Sequence, residues 1–137
     1  MSYLDICAGQ LPVDEGSKSH PYRDTVGILT IGVGRNLESV GLRQDEISLM
    51  LRNDSAAADK DAQALVPSFQ ALSDQRKAVL VNMCFNLGRS RLSAFVRFLG
   101  AVSDGRFNDA ADEMLASMWA VQVGQRAQRL AKMMREG

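Results

Sequence analysis

From residue 42 onward, apolar side chains recur at the spacing of helices. Residues 42–65 place them three, four or seven positions apart, which predicts one long helix. Residues 78–87 are apolar nearly all round, which predicts a buried central helix. Ser73 is a suitable N-terminal cap for that helix, and Gly88 marks its end.

Three further helical patterns follow, over residues 95–102, 110–119 and 127–134. Methionine and aromatic side chains form a stripe along this part of the chain, which predicts core packing. The members of the stripe are Phe95, Phe98, Met114, Met118 and Trp119. The second half of the chain is therefore expected to be entirely helical.

The first 41 residues have a different character. Residues 26–34 combine β-branched side chains with glycine, which predicts a short sheet or hairpin. Gly9 and Pro12 fall inside a first helix, which is therefore either kinked near Gly9 or regular only from Pro12 onward. The predicted fold class is α+β, mainly helical.

Composition places the chain among compact globular proteins. It has 137 residues, of which 46% are hydrophobic and 23% charged, so a single domain is expected. Cys7 and Cys84 are too few for a disulfide framework, and we expect free thiols that pack as small apolar groups. The first five residues carry no basic leader, so we expect no signal peptide. No segment approaches the roughly 18–20 apolar residues of a membrane span, so we expect no stable membrane insertion.

Charge is balanced overall but uneven along the chain. Sixteen basic and 16 acidic side chains argue against a dedicated nucleic-acid-binding protein. Residues 1–75 carry 6 basic and 11 acidic groups, a net of −5, whereas residues 76–137 carry 10 and 5, a net of +5. The basic half either orients the molecule on an anionic polymer or membrane, or is simply a solvated helix surface.

Carboxylates are the side chains best placed to do chemistry. His20 has no partner for nucleophilic or zinc catalysis, and no phosphate-binding glycine loop is present. Glu15 is expected at a helix end, and Asp24 on an extended or turn segment that folds back toward it. Thr30 follows at an even spacing that suits one face of a strand pair. Two carboxylates that face each other across a gap suit acid–base cleavage of an acetal, although scattered acids also occur in any protein.

Three strings carry a resemblance to the phage-type lysozymes, glycoside hydrolase family 24: Asp14-Glu15-Gly16, Pro21 through Gly27, and Leu29 through Gly34. In that family a Glu, an Asp after eight intervening residues and a Thr after five more form the catalytic triad. Glu15, Asp24 and Thr30 match both the residue types and the spacing. The resemblance implies that these three residues are catalytic.

The resemblance continues through the central helix and the closing helices. It implies that Phe85 and Asn86 contact the sugar chain, with Asn86 replacing a glutamine-like amide. Arg126 follows the Val123-Gly124 turn and is predicted to face the same substrate.

Other positions depart from the family pattern. Arg35 stands where one member has a histidine that forms an ion pair, so the role of Arg35 is open. Phe98 and Glu113 lack the polar groups expected at two further contact positions, and they are not assigned to the site.

The resemblance also implies an architecture and a function. A single lysozyme-like domain over residues 1–137 would have a β-containing lobe near 14–41, a connecting helix near 42–65, and a helical lobe near 66–137 that includes the N-terminal helix. A cleft between the lobes would bind peptidoglycan glycan strands, and the enzyme would be a muramidase without metal or organic cofactor.

The expected protein is a monomer that accumulates in the host cytoplasm and reaches the periplasm and cell wall through a holin-made lesion. Two alternatives stay open: an inactive wall-binding or phage structural module, and a helical protein that binds membranes or nucleic acid.

Overall fold

A computed structural model describes all 137 residues and shows a mainly helical α+β fold with one small sheet. In chain order the elements are α1 (Tyr3–Glu15), β1 (Lys18–Arg23), β2 (Leu29–Gly32), β3 (Arg35–Asn36), α2 (Gln44–Leu65), α3 (Asp74–Leu87), α4 (Arg89–Ser93), α5 (Val96–Ser103), α6 (Phe107–Leu115), α7 (Met118–Val123) and α8 (Gln125–Glu136). The predicted fold class is confirmed. No helix is both long and apolar enough to span a membrane.

The chain forms two compact units, Met1–Leu49 and Met50–Gly137, which we call the sheet unit and the helical unit. The sheet is antiparallel in the order β1-β2-β3, with Tyr22 opposite Thr30 and Thr30 opposite Asn36. The sequence pattern over residues 26–34 located β2 but missed β1. Pro21 lies within β1, where it is tolerated because β1 is an edge strand.

The first helix runs without interruption from Tyr3 to Glu15. Its start is fixed by a capping box, in which the Ser2 hydroxyl accepts the Asp5 N–H while the Asp5 carboxylate accepts the Ser2 N–H. Pro12 therefore lies inside the helix, and the alternative of a regular helix beginning at Pro12 is wrong. No side chain of α1 is buried, so the exposed Cys7 does not pack as predicted.

The apolar core lies in the helical unit. Most of its largest fully buried side chains come from α3, α4, α5, α6 and α8. The last of these helices supplies a full stripe, as predicted: Ala127, Leu130, Ala131 and Met134. The start and end of α3 are confirmed, because the Ser73 hydroxyl accepts the Arg76 N–H and Gly88 terminates the helix with a φ of 82°. The expectation that α3 is buried on all sides is wrong, since Phe85 is 46% exposed.

The pattern over residues 110–119 is two helices and not one. The chain leaves the helical conformation after Leu115, and the Ser117 hydroxyl accepts the Ala120 N–H to begin α7. Met118 therefore occupies the first turn of α7 and is 70% exposed, which corrects its assignment to the core. The other members of the stripe are buried or packed against the core: Phe95, Phe98, Met114 and Trp119.

Candidate active site

Glu15 is the last residue of α1, and its carboxyl group lies against the turn between β2 and β3. The helix ends at Gly16, whose φ of 81° redirects the chain toward β1. Gly34 in the β2–β3 turn has a φ of 68°, and a methyl group placed on it would lie 3.2 Å from Glu15 Oε2. Glycine therefore gives the turn both its conformation and its close approach to the carboxyl group.

Asp24 follows β1 and organises the turn that leads to β2. Its Oδ1 accepts the backbone N–H groups of Val26 at 2.9 Å and Ile28 at 2.8 Å. The Asp24 N–H donates to the Ile28 carbonyl at 3.0 Å, which closes the turn. This arrangement holds the carboxylate in one orientation and leaves Oδ2 as a free acceptor.

Thr30 lies on β2 and is 4% exposed. Because Tyr22 pairs with Thr30 and Arg23 with Leu29, the register places Asp24 on the same side of the hairpin as Thr30. The Thr30 hydroxyl donates its proton to the Ile28 carbonyl at 2.8 Å, so toward a further partner it can only accept. A water molecule that donates to both Asp24 Oδ2 and Thr30 Oγ1 would present a lone pair to a substrate.

Phe85, Asn86 and Arg126 belong to one surface of the helical unit. The Asn86 Oδ1 accepts the Trp119 Nε1–H at 2.8 Å, and the Asn82 Oδ1 accepts the Arg126 Nε–H at 2.9 Å. Asn82, Phe85 and Asn86 share a helix face because they stand three and four positions apart. The amide NH₂ of Asn86 and the terminal nitrogens of Arg126 remain available as donors beside an exposed aromatic ring.

Asn82 holds Arg126 in place and Trp119 holds Asn86. Neither Asn82 nor Trp119 was predicted from the sequence to belong to the site. The signal for Asn82 was its place one turn before Asn86 on a helix that is otherwise apolar. The signal for Trp119 was an indole N–H at a core position, where it needs an acceptor.

A family model described as phage lysozyme matches residues 13–136. The chain belongs to the phage lysozyme family. Two relatives come from Dictyostelium discoideum: "Probable T4-type lysozyme 2" is 27% identical and "Probable T4-type lysozyme 1" is 26% identical. Each alignment has 156 positions and covers 93% of this chain and 92% of the relative. The resemblance to phage-type lysozymes is confirmed, and membership supports a lysozyme-type glycoside hydrolase that acts on peptidoglycan.

Arg35 is one position at which this phage lysozyme family member departs from the family pattern, and its side chain forms two hydrogen bonds. Arg35 Nη1 donates to Glu46 Oε1 at 2.6 Å and to the Gly41 carbonyl at 3.2 Å. The hydrogen bond from Arg35, together with that from the Arg43 N–H, lowers the pKa of Glu46 to about 2. An ion pair is therefore present here, between β3 and the first turn of α2.

Phe98 and Glu113, which were not assigned to the phage lysozyme site, border a cavity of about 550 Å³ in the helical unit. Phe98 is 1% exposed and contributes to its apolar wall, whereas Glu113 is a half-buried carboxylate at the same cavity. No group of three or more His, Cys, Asp or Glu side chains is arranged to hold a metal ion.

Proposed function

We propose that the protein is a muramidase that hydrolyses the β-1,4 bond between N-acetylmuramic acid and N-acetylglucosamine in peptidoglycan. The observation that carries the proposal is the arrangement of the sheet unit. An exposed carboxyl group lies against the β2–β3 turn, while Asp24 and Thr30 offer two acceptors on one side of the β1–β2 hairpin. Membership of the phage lysozyme family supports the choice of peptidoglycan as substrate.

In the proposed reaction Glu15 is the general acid. It donates its proton to the glycosidic oxygen as the bond from that oxygen to the anomeric carbon of N-acetylmuramic acid breaks. A water held by Asp24 and Thr30 attacks the anomeric carbon from the opposite face and gives its proton to Asp24. Because a hydroxyl is a poor nucleophile unaided, Thr30 acts by orienting the water. The reaction uses only side chains and water, without a metal or organic cofactor.

The helical unit binds the glycan in this proposal. An exposed aromatic ring such as Phe85 covers the apolar face of a sugar. Asn86 and Arg126 supply N–H donors for sugar oxygens, and each is held in place by a hydrogen bond to a neighbouring side chain.

Digestion of purified peptidoglycan, followed by mass analysis, tests the function. We expect fragments that end in a reducing N-acetylmuramic acid. Anhydro-muramic ends would indicate a lytic transglycosylase, and peptides freed from glycan would indicate an amidase. Undigested peptidoglycan that retains bound protein would instead support an inactive wall-binding module.

The stereochemistry tests the mechanism. Attack by water predicts inversion, which requires about 6.5–9.5 Å between the two carboxyl groups in the substrate complex, against about 5–5.5 Å for direct attack by a carboxylate. NMR of the first product, before mutarotation, should therefore show the α anomer. A β anomer, or a covalent adduct of sugar on Asp24, would contradict the proposed roles of Asp24 and Thr30.

We also propose a biological role in host lysis, in which a monomer leaves the cytoplasm through a holin-made lesion and reaches the cell wall. The exposed basic groups of α8, such as Arg129 and Lys132, would favour the anionic wall. Reversing both charges should slow lysis of permeabilised cells more at low than at high salt, because salt screens exposed charges. An equal effect on a short soluble glycan would contradict a long-range attraction.

A further inference from the structure

The turn between β2 and β3 forms one wall of the Glu15 carboxyl group. A methyl group on Gly34 would lie 3.2 Å from Glu15 Oε2 and 3.6 Å from its Cβ and Cδ. Any movement of this turn therefore changes the space that the carboxyl group occupies.

The backbone alone holds this turn weakly. β3 has only two residues, which pair with β2 at Ile31–Arg35 and Thr30–Asn36, and one further backbone bond follows, from the Leu37 N–H to the Leu29 carbonyl at 2.9 Å. Short strands of this kind have few ladder hydrogen bonds, so side-chain anchors contribute more to their position.

The strongest anchor is the side chain that follows Gly34. Arg35 Nη1 reaches both Glu46 Oε1 and the Gly41 carbonyl, and Glu46 Oε1 also accepts the Arg43 N–H at 2.9 Å. The turn is thus connected to the first turn of α2, a 22-residue helix. One further basic group, Arg43, and one further acidic group, Asp45, lie nearby. The Arg43 Nε is 3.4 Å from Asp45 Oδ1 and 3.9 Å from Glu46 Oε1.

We propose that Arg35 and Glu46 are positioning residues for catalysis, which hold the Gly34 turn against Glu15 and so fix the acid for proton transfer. The inference rests on the proposed role of Glu15. Neither residue touches the substrate in this scheme, and both act through the backbone of Gly34.

Because the Arg35–Glu46 pair is partly exposed, its effect on catalysis can be distinguished from its effect on global stability. The Arg35 and Glu46 side chains are half-buried, at 29% and 30% exposed, so solvent still reaches the pair, and a solvent-accessible ion pair contributes modestly to the free energy of unfolding. A displaced catalytic group, in contrast, can reduce a rate by about 100-fold for a shift of about 1 Å. Loss of the pair should therefore reduce turnover far more than it reduces stability.

The test compares Arg35→Gln, Glu46→Gln and the matched control Arg43→Gln on a soluble peptidoglycan fragment. Arg35→Gln removes a positive charge and Glu46→Gln a negative one, so direct electrostatic effects on Glu15 would be opposite in sign. A common loss of turn position instead predicts a fall in kcat of roughly tenfold for both, with KM within about twofold. Arg43→Gln removes a neighbouring charge but keeps the backbone N–H bond to Glu46, so its kcat should stay within about twofold of wild type.

Arg35→Lys keeps a cationic donor and should recover most of the lost kcat. The second readout does not depend on activity: the NMR resonances of the Gly34 backbone amide and the Glu15 carboxyl carbon should move in Arg35→Gln and Glu46→Gln, and stay in place in Arg43→Gln. Opposite changes in kcat, losses confined to KM, or unmoved Gly34 and Glu15 resonances would overturn the positioning role. If Glu15→Gln stays active while these resonances move, the proposed function fails and the turn anchor stands as a structural feature alone.

Discussion

Each of the two units is stabilised internally by a different kind of interaction. In the helical unit 20 apolar side chains are buried, whereas in residues 1–49 the only buried residue is Thr30. The helical unit is stabilised by removing apolar surface from water. The sheet unit relies on turns, hydrogen bonds and ion pairs.

Polar contacts account for most of the order in the sheet unit. Arg23 donates to Glu38 and to the Gly27 carbonyl, and the Asn36 side chain accepts the N–H groups of Glu38 and Ser39. Such contacts define direction and distance more closely than apolar packing does, but each contributes modestly to stability. Substitutions in the sheet unit should therefore change activity before stability, and those in the helical core should do the reverse.

The largest expected effect on stability comes from a substitution in the helical core. Leu80 is 0% exposed, and Leu80→Ala should cost about 2–5 kcal/mol of the free energy of unfolding because it leaves a cavity. Val26→Ala in the sheet unit, where the side chain is 76% exposed, should cost less than about 0.5 kcal/mol. Urea denaturation of both variants measures the difference, and similar costs would contradict the contrast between the units.

The largest expected effect on activity comes from the sheet unit. Glu15→Gln keeps the shape of the side chain and removes the proton donor, so hydrolysis of peptidoglycan should fall by at least about 100-fold while Tm stays near that of wild type. The neighbouring Asp14→Asn, also at an exposed carboxylate, serves as the control and should retain activity. Activity of Glu15→Gln within a few-fold of wild type would falsify its role as the acid.

Thr30 differs from the rest of the sheet unit because it is buried as well as polar. Thr30→Val keeps the volume but loses the hydrogen bond to the Ile28 carbonyl, which should cost about 1 kcal/mol of stability. If the hydroxyl orients the attacking water, hydrolysis should fall by roughly tenfold or more. Thr30→Ser keeps the hydroxyl and should retain most of the activity. Equal rates for the two variants, measured on the same glycan, would remove the hydroxyl from the mechanism.

The smallest effect is a pH dependence at the edge of the sheet unit. The pKa of Glu46 is lowered from its ordinary value of 4.5 to about 2, chiefly by the hydrogen bond from Arg35. Because the folded pKa lies below the unfolded one, the pair's contribution to stability is fully present above about pH 4.5 and is lost as the pH falls through 2. The Tm difference between wild type and Glu46→Gln should shrink from pH 6 to pH 2; a constant difference would contradict the linkage.

Local signals in the sequence predicted several elements correctly. The Ser73 cap and Gly88 define both ends of α3, and an apolar stripe defines α8, because each signal acts within one or two turns. The even spacing from Asp24 to Thr30 predicted a shared side of a strand pair, and the register agrees. The spacing of Glu15, Asp24 and Thr30 also indicated the family.

Features that depend on distant partners were not predicted. β1 has the polar sequence Lys18–Arg23, so its conformation comes from pairing with β2 and not from its own propensity. The partner of Arg35 lies 11 residues away across a loop, and several acids were equally plausible from sequence. Ser117 is a local signal for a helix start, but it lies within a run of apolar residues at helical spacing. That run predicted one helix where the Ser117 cap begins a second.

The apolar core includes side chains of α8, so it can close only after that helix has been synthesised. The sheet unit pairs residues that are close in sequence, so its hairpins can form while synthesis continues. The helical core has to wait for four buried side chains of α8, and Arg76 for the carbonyls of Met134 and Arg135 that it binds 58 and 59 residues later. During translation the residues of the hairpins that bear Asp24 and Thr30 are therefore synthesised, and can pair, well before the core that accounts for most of the buried apolar surface has closed.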